Sequence, residues 1–419
     1  MKYFSKLRLA LDMYVLGQGV KTGVYRVCDE LFPRLARSSE FAPRYFMRKG
    51  FETIASAYVV DHQLPGSLHT APEQGPSVDA DILLSPFGVA PLNWLNDPNI
   101  MHAHIIYDLI AIRMPHYFSL EASTEVRNII ASLNEDSVVF AISEFTKQDL
   151  LAYRPDISPS QVTVIPLAAG DNFKPCHNEA KKSEVRKSYG IPHEVPYVLS
   201  LATLEIRKNL DQVVKAFIRY LDQNSDSHLH LVLSGMTGWK LDKLNEALEA
   251  AGKWRNRIVL TGFVDDADLS ALYSGATCFI YLSRYEGFGL PPLEAMACGT
   301  PVICSNNSSL PEVVGEAGLM FDADDIDGVA KAIHNIATSD IYRAELSAKG
   351  IERAKLFSWD ECANIVANTL KTKHEEFTAR PVRYHIKDIA NHTESREMQV
   401  IALRALLSKV KRRVLRLFS

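Results

Sequence analysis

Glu286-Gly-Phe-Gly-Leu-Pro-Pro-Leu-Glu294 is the stretch that decides the fold. Gly287 and Gly289 leave backbone N–H groups unscreened by side chains. Pro291 and Pro292 suit the first turn of a helix, where no N–H partner is lost. The spacing puts Glu294 in that first turn, and Gly299 stops the helix. The apolar run Cys278-Phe-Ile-Tyr281 reads as a strand just before the loop. Strand, glycine-rich loop and helix N-terminus in that order make a cradle for anions. Either glutamate alone reads as a solvated loop residue or a partner of the helix dipole. Together they flank the cradle and can grip vicinal hydroxyls, which suits a ligand bearing both phosphate and sugar.

Short apolar runs alternate with helical patterns on both sides of this unit, the mark of parallel α/β architecture. Upstream, Leu7–Val15, Asp81–Ser85, Ile105–Tyr107, Ser137–Ile142 and Val162–Ile165 read as strands, and Val24 to Leu35 as a helix. Residues 43–80 give no assignable pattern. A second series follows, with Tyr197–Ala202, Leu229–Leu233, Ile258–Leu260, Cys278–Tyr281 and Pro301–Cys304 as strands. Asp265 is expected to cap one helix, and Ser309/Glu312 and Ser358/Glu361 have capping-box spacing. Pro166, Pro175, Pro192 and Pro196 mark a link between the two series. The expected organisation is a Rossmann-like domain over 1–175 on the acceptor side and a nucleotide-sugar-binding Rossmann-like domain over 195–358. A helix over 359–378 and a basic tail over 380–419 complete the chain. Two facing doubly wound sheets bind ligands at their strand carboxyl ends, so a cleft lies between them.

The 419 residues suffice for two sizeable cores. A net charge of −4 offers no global field for nucleic acid. The six cysteines form no Cys-x-x-Cys pair, which argues against a zinc site or disulfide framework. Without a secretory leader or an apolar span, a cytoplasmic location is the default. In the tail, Leu403, Leu406, Leu407, Val410, Val414, Leu417 and Phe418 share one helical stripe among six basic residues. It reads as a helix packed on the protein, as a disordered tail, or as an amphipathic helix on the inner, anionic face of the cytoplasmic membrane.

Ser283-Arg-Tyr-Glu-Gly-Phe-Gly-Leu-Pro-Pro-Leu-Glu-Ala-Met-Ala-Cys-Gly-Thr-Pro-Val302 resembles the donor-binding signature of retaining GT-B glycosyltransferases of family 4, the glycosyl transferases group 1 of bacterial polysaccharide type. Ser308-Ser-Leu-Pro-Glu-Val-Val-Gly315, Leu204-Glu-Ile-Arg-Lys-Asn-Leu210 and Thr261-Gly-Phe-Val-Asp265 extend the likeness. The resemblance implies that Arg207 and Lys208 hold the donor diphosphate, and that the N–H groups of Gly287, Phe288, Gly289 and Leu290 meet phosphate and sugar. It implies that Glu286 faces the reacting sugar and Glu294 the ribose. Fixed cations can replace a divalent metal for the leaving diphosphate.

Ile105-Ile-Tyr-Asp-Leu-Ile-Ala-Ile-Arg-Met-Pro-His-Tyr-Phe118 resembles a family segment in which many members carry His-Asp or His-Glu. This chain has Tyr107-Asp108 instead. Asp108 is a candidate to contact donor sugar or acceptor, or else a local helix cap. His102 and His104 alternate on the preceding strand and read as structural. Thr22, Gly23 and Arg26 lie in a loop like those of family members that build polysaccharides, and are assigned to acceptor or phosphate contact.

The expected function is transfer of a sugar from a nucleotide-diphosphate donor to a glycan or lipid-linked glycan of an O-antigen or capsule type, retaining the anomeric configuration and without a metal. GDP-mannose is the first donor choice, and a UDP- or dTDP-sugar the second. A nucleotide-sugar epimerase of the same fold, or a non-catalytic scaffold subunit, are the alternatives.

Overall fold

The computed structural model describes residues 6–70, 79–89 and 97–379. The basic stripe from Leu403 to Phe418 lies outside these residues.

Among the described residues, thirteen strands form two wholly parallel sheets. The first contains β1 (Leu7–Asp12), β2 (Phe41–Met47), β3 (Ser67–Thr70), β4 (Ile82–Ser85), β5 (Met101–Ile106), β6 (Val138–Ala141) and β7 (Val162–Val164). Their order is β3-β2-β1-β4-β5-β6-β7. The second contains β8 (Tyr197–Leu201), β9 (His230–Ser234), β10 (Ile258–Gly262), β11 (Cys278–Tyr281), β12 (Val302–Ser305) and β13 (Leu319–Phe321), in the order β10-β9-β8-β11-β12-β13. The strand order reverses between β1 and β4 in one sheet and between β8 and β11 in the other. Crossover helices diverge to opposite faces at such a point, leaving a crevice at the strand carboxyl ends. The central strands are buried along their length, as parallel strands covered on both faces must be.

Several expectations need correction. The first strand stops at Asp12, because Tyr14–Gly17 turns into a short helix. The unassigned segment from residue 43 supplies most of β2, all of β3 and the helix Glu52–Asp61. Pro43 hides β2, since proline is rare in interior strands. It is tolerated because pairing with β3 begins one residue later, at Arg44 opposite Ser67. Asp265 precedes the helix Asp266–Ser274 but makes no side-chain cap. Ser309 does not cap its helix either. Ser358 does cap, accepting from the Glu361 N–H at 3.3 Å.

Trp359–Thr378 forms a long helix that packs on the first sheet's helix Gly23–Arg37 and on β5 and β6. Arg34 meets Asp360 at 2.8 Å and Lys371 meets Glu40 at 2.8 Å along this contact. Between the sheets, the link contains the helix Glu179–Ser188, which packs on Asp266–Ser274. Among the described residues, no helix is long and apolar enough to cross a membrane.

Candidate active site

The second sheet's reversal point sets the chemistry. After β8 the chain makes a single turn, Ile206–Lys208, and enters the helix Leu210–Gln223 through Asn209 at φ 57°. Asparagine tolerates this left-handed geometry, and its amide is tied to the Ala323 carbonyl at 2.8 Å. Arg207 and Lys208 therefore arrive beside the segment that follows β11. Glu286 Oε1 accepts from Lys208 Nζ at 2.6 Å, Tyr281 OH at 2.8 Å and Arg207 Nη1 at 2.9 Å. Arg207 also reaches Glu205 Oε1 at 2.6 Å and the Tyr285 carbonyl at 2.9 Å.

Burial pushes the Glu286 carboxyl up, but Arg207 and Lys208 overcome it and hold the group at about 2. Burial and the neighbouring Arg207 charge both pull Lys208 down. Asp108 faces the same cluster from the first sheet. Burial raises its pKa, and Arg207 opposes the rise without cancelling it. Asp108 Oδ1 also accepts the Ile110 N–H at 3.0 Å, so the local cap and the cleft-facing reading are both present in one side chain. Two carboxylates with environments that shift them apart are a common acid–base arrangement.

The glycine loop is shaped by its neighbours. A Cβ at Gly287 would lie 2.0 Å from the Tyr107 carbonyl, so only glycine permits the first domain to approach. Gly289 has φ 130°, and Gly299 ends the helix Leu290–Ala297 at φ 76°. Ser309 Oγ donates to the carbonyls of Glu286 (2.9 Å) and Phe288 (2.5 Å), and Ser308 Oγ accepts the Glu286 N–H at 2.9 Å. The N–H groups of Gly287, Phe288, Gly289 and Leu290 donate to no partner among the described residues. The anion cradle read from the sequence is thus open. The Phe288 side chain is turned away, 4% exposed and edge-on to Phe357, so only its backbone is offered. Alanine at 287 is expected to force this contact apart and cut turnover roughly 100-fold, the cost of an ångström-scale misplacement. Nucleotide-diphosphate release measured against wild type checks this, and unchanged turnover would remove the contact from the working state.

Glu294 lies in the second turn of its helix, not the first, because the helix begins at Leu290. Its side chain is 2% exposed and both oxygens are occupied. Oε1 takes Arg26 Nη1 and Oε2 takes Tyr273 OH at 3.0 Å. Arg26 also reaches Asp266 at 3.4 Å, and Lys21 meets Asp266 at 3.2 Å. Burial raises Glu294, with Arg26 pulling against it. Thr22 caps the helix Gly23–Arg37 through the Tyr25 N–H at 3.2 Å, and a Cβ at Gly23 would meet open space. Thr22, Gly23 and Arg26 thus belong to the Glu294 end of the cleft, apart from the Arg207–Lys208–Glu286–Asp108 cluster.

Sequence reasoning missed Glu205, Tyr281, Tyr273 and Asp266. Glu205 stood in the quoted motif two residues before Arg207, which was a usable signal; the other three gave none. It also misread Glu312, whose oxygens accept the N–H groups of Glu144 (2.9 Å) and Phe145 (3.1 Å) at the start of a first-domain helix. Tyr107 buries its phenol beside Cys28 and presents its carbonyl to Gly287. His104 is 1% exposed and burial lowers its pKa to about 3, so it is a neutral core residue. No group of three or more metal-ligating side chains occurs among the described residues. A cavity of about 1000 Å³ lies at the opposite, amino-terminal ends of β8, β9 and β11, beside Pro196, Leu229 and Thr277, and takes no part in this site.

Two facing doubly wound sheets with cations and carboxylates at their carboxyl ends define a GT-B protein. Residues 181–353 match the family model for glycosyl transferases group 1. An O-antigen chain mannosyltransferase B of Escherichia coli is 35% identical over 245 residues, covering 58% of this chain and 63% of that protein. A serotype-specific mannosyltransferase WbdA of Escherichia coli is 31% identical over 239 residues, covering 57% of this chain and 29% of that protein. The chain thus spans less than two thirds of either relative. Anabaena HepE, solved in complex with UDP, superposes with TM-score 0.66 at 17% identity, over 88% of this chain and 100% of that one. WaaG, a glycosyltransferase involved in lipopolysaccharide biosynthesis, superposes with TM-score 0.60 at 14% identity, over 86% and 99%. These two likenesses concern the fold.

Proposed function

We propose that the protein is a retaining glycosyltransferase that moves mannose from GDP-mannose to a growing surface glycan of the O-antigen kind, free or lipid-linked. The observation that carries this reading is Glu286 held ionised between Arg207 and Lys208 at the second sheet's reversal point, opposite Asp108. When the glycosidic bond breaks, negative charge grows on the departing diphosphate and positive charge on the sugar. Arg207, Lys208 and the free N–H groups of the loop meet the first; the Glu286 carboxylate meets the second. These interactions strengthen as charge separates, which is what lowers a barrier. The acceptor hydroxyl attacks from the face the diphosphate leaves, and the diphosphate oxygen takes its proton. Glu294 then holds the ribose once Arg26 releases it. The mannosyltransferase names of the two relatives support mannose as the sugar.

A donor panel with full-length protein, a mannan-type oligosaccharide acceptor and EDTA tests the reading. GDP release from GDP-mannose, coupled to an axial product linkage by NMR, is the expected result. Sugar turnover without acceptor would favour the epimerase. Nucleotide binding without release from any donor would favour a scaffold subunit.

A further inference from the structure

Three successive carbonyls of the glycine loop each accept a hydroxyl, while the N–H groups that follow them stay free. Those of Glu286 and Phe288 take Ser309 Oγ, from the same domain, at 2.9 and 2.5 Å. The middle one, Gly287, takes Thr146 Oγ1 at 3.1 Å, from the first domain. Thr146 is fully buried near the start of the helix Glu144–Tyr153. Its hydroxyl also lies 3.1 Å from the Tyr107 carbonyl and accepts from Ser143 Oγ at 3.0 Å. It therefore has one proton for two carbonyl acceptors, one in each domain.

Holding the helix in place does not need this hydroxyl. The Thr146 N–H is already capped by Ser143 Oγ at 2.9 Å. Glu312 accepts the Glu144 and Phe145 N–H groups, Phe145 sets its ring edge-on to Tyr285 at 5.2 Å, and Tyr285 OH donates to Asp149. Valine at 146 would fill the same volume with no polar group to satisfy.

The loop's own chemistry gives the hydroxyl a task. A peptide is planar and trans, so the Gly287 C=O and the Phe288 N–H are opposite ends of one dipole. A donor oxygen accepting the Phe288 N–H polarises that unit and strengthens the Gly287 carbonyl as an acceptor, by about 10–30% per bond. The shared proton then moves from the Tyr107 carbonyl towards Gly287. Tyr107 precedes Asp108, and a Cβ at Gly287 would sit 3.1 Å from the Asp108 Cβ, so this contact is also the one that carries Asp108 into the cleft.

Resting on the glycosyltransferase reading, we propose that Thr146 is a positioning residue: it registers an occupied donor loop through the Gly287–Phe288 peptide and fixes the Asp108 segment against it. Such coupling is reciprocal, so what the donor does to the helix the helix does to donor affinity.

Hydrogen–deuterium exchange of the full-length protein, read on the peptide covering residues 143–150, tests this. No group in that peptide is assigned to the donor. The probes are GDP-mannose, UDP-glucose and dTDP-glucose, with binding followed by calorimetry. In wild type the nucleotide sugar that binds is expected to slow exchange there about fivefold or more, the low end of coupling between sites. In Thr146→Val the slowing should fall below twofold, with the donor Kd raised by about the factor lost and kcat lowered about tenfold. Thr146→Ser keeps the hydroxyl and should keep the slowing. Equal slowing in wild type and Thr146→Val would overturn the relay, as would equal loss in Thr146→Ser and Thr146→Val. Faster exchange in Thr146→Val by the same factor with and without donor would reduce the hydroxyl to packing and overturn it too. Wild-type protein that binds none of the three sugars would sink the transferase reading itself, whereas intact transfer by Thr146→Val removes the relay alone.

Discussion

Glu286→Gln is expected to slow sugar transfer by about 10²–10³-fold, the usual effect of removing one pre-placed charge from a transition state. The isosteric amide keeps the contacts of Oε1 but removes the charge opposite the developing positive sugar. Arg207 and Lys208 then lose part of their counter-charge, so the diphosphate should bind as well or better. The effect therefore falls on kcat and spares KM. Steady-state kinetics with the accepted donor checks this, and a variant that loses donor binding while keeping kcat would contradict the assignment. The pH profile adds a second reading. With Glu286 held at about 2, no acidic limb should come from it in the working range. Asp108 is shifted upward from 3.8, so any acidic limb should lie above the ordinary aspartate value and vanish in Asp108→Asn. The depressed Glu286 also contributes stability that is complete above its unfolded value near 4.5 and is lost as pH falls towards 2.

At the other end of the cleft, Arg26→Ala and Glu294→Ala are expected to agree in stability and differ in nucleotide binding. Arg26→Ala strands the buried Glu294 carboxylate, and Glu294→Ala leaves Arg26 with Asp266 alone; breaking such a pair costs about 3 kcal/mol, the low end because Arg26 is 29% exposed. Both melts should fall. Glu294→Ala also removes the carboxylate that would grip the ribose, so GDP binding should weaken tenfold or more, as when a charged hydrogen bond is lost. Arg26→Ala leaves that carboxylate with only Tyr273 to displace, and GDP binding should tighten. Calorimetric titration decides. Equal weakening in both variants would put Arg26 itself on the nucleotide and restore the phosphate-contact assignment made from its loop.

The sequence alone determined whatever local geometry and short-range pattern control. The β11–loop–helix unit, the left-handed stop at Gly299 and the apolar runs of the central strands follow from φ preferences, missing side chains and burial on both faces. Arg207 and Lys208 at a strand end followed from their place after one such run. Pairings between distant segments were decided only in the tertiary structure. Glu312 has the spacing of a capping box, yet it caps a helix 168 residues away because the two domains bring that helix to it. Glu294 reads as an open carboxylate, yet Arg26, 268 residues away, fills it. Gly287 reads as an exposer of N–H groups, but the Tyr107 carbonyl is what makes glycine obligatory. Thr146 carries no motif, because a hydroxyl shared by the Tyr107 and Gly287 carbonyls depends on the two domains meeting there. Sequence spacing encodes what a residue can do to its neighbours within a few positions. Which charge meets which across a cleft depends on how two separately formed sheets are set against each other.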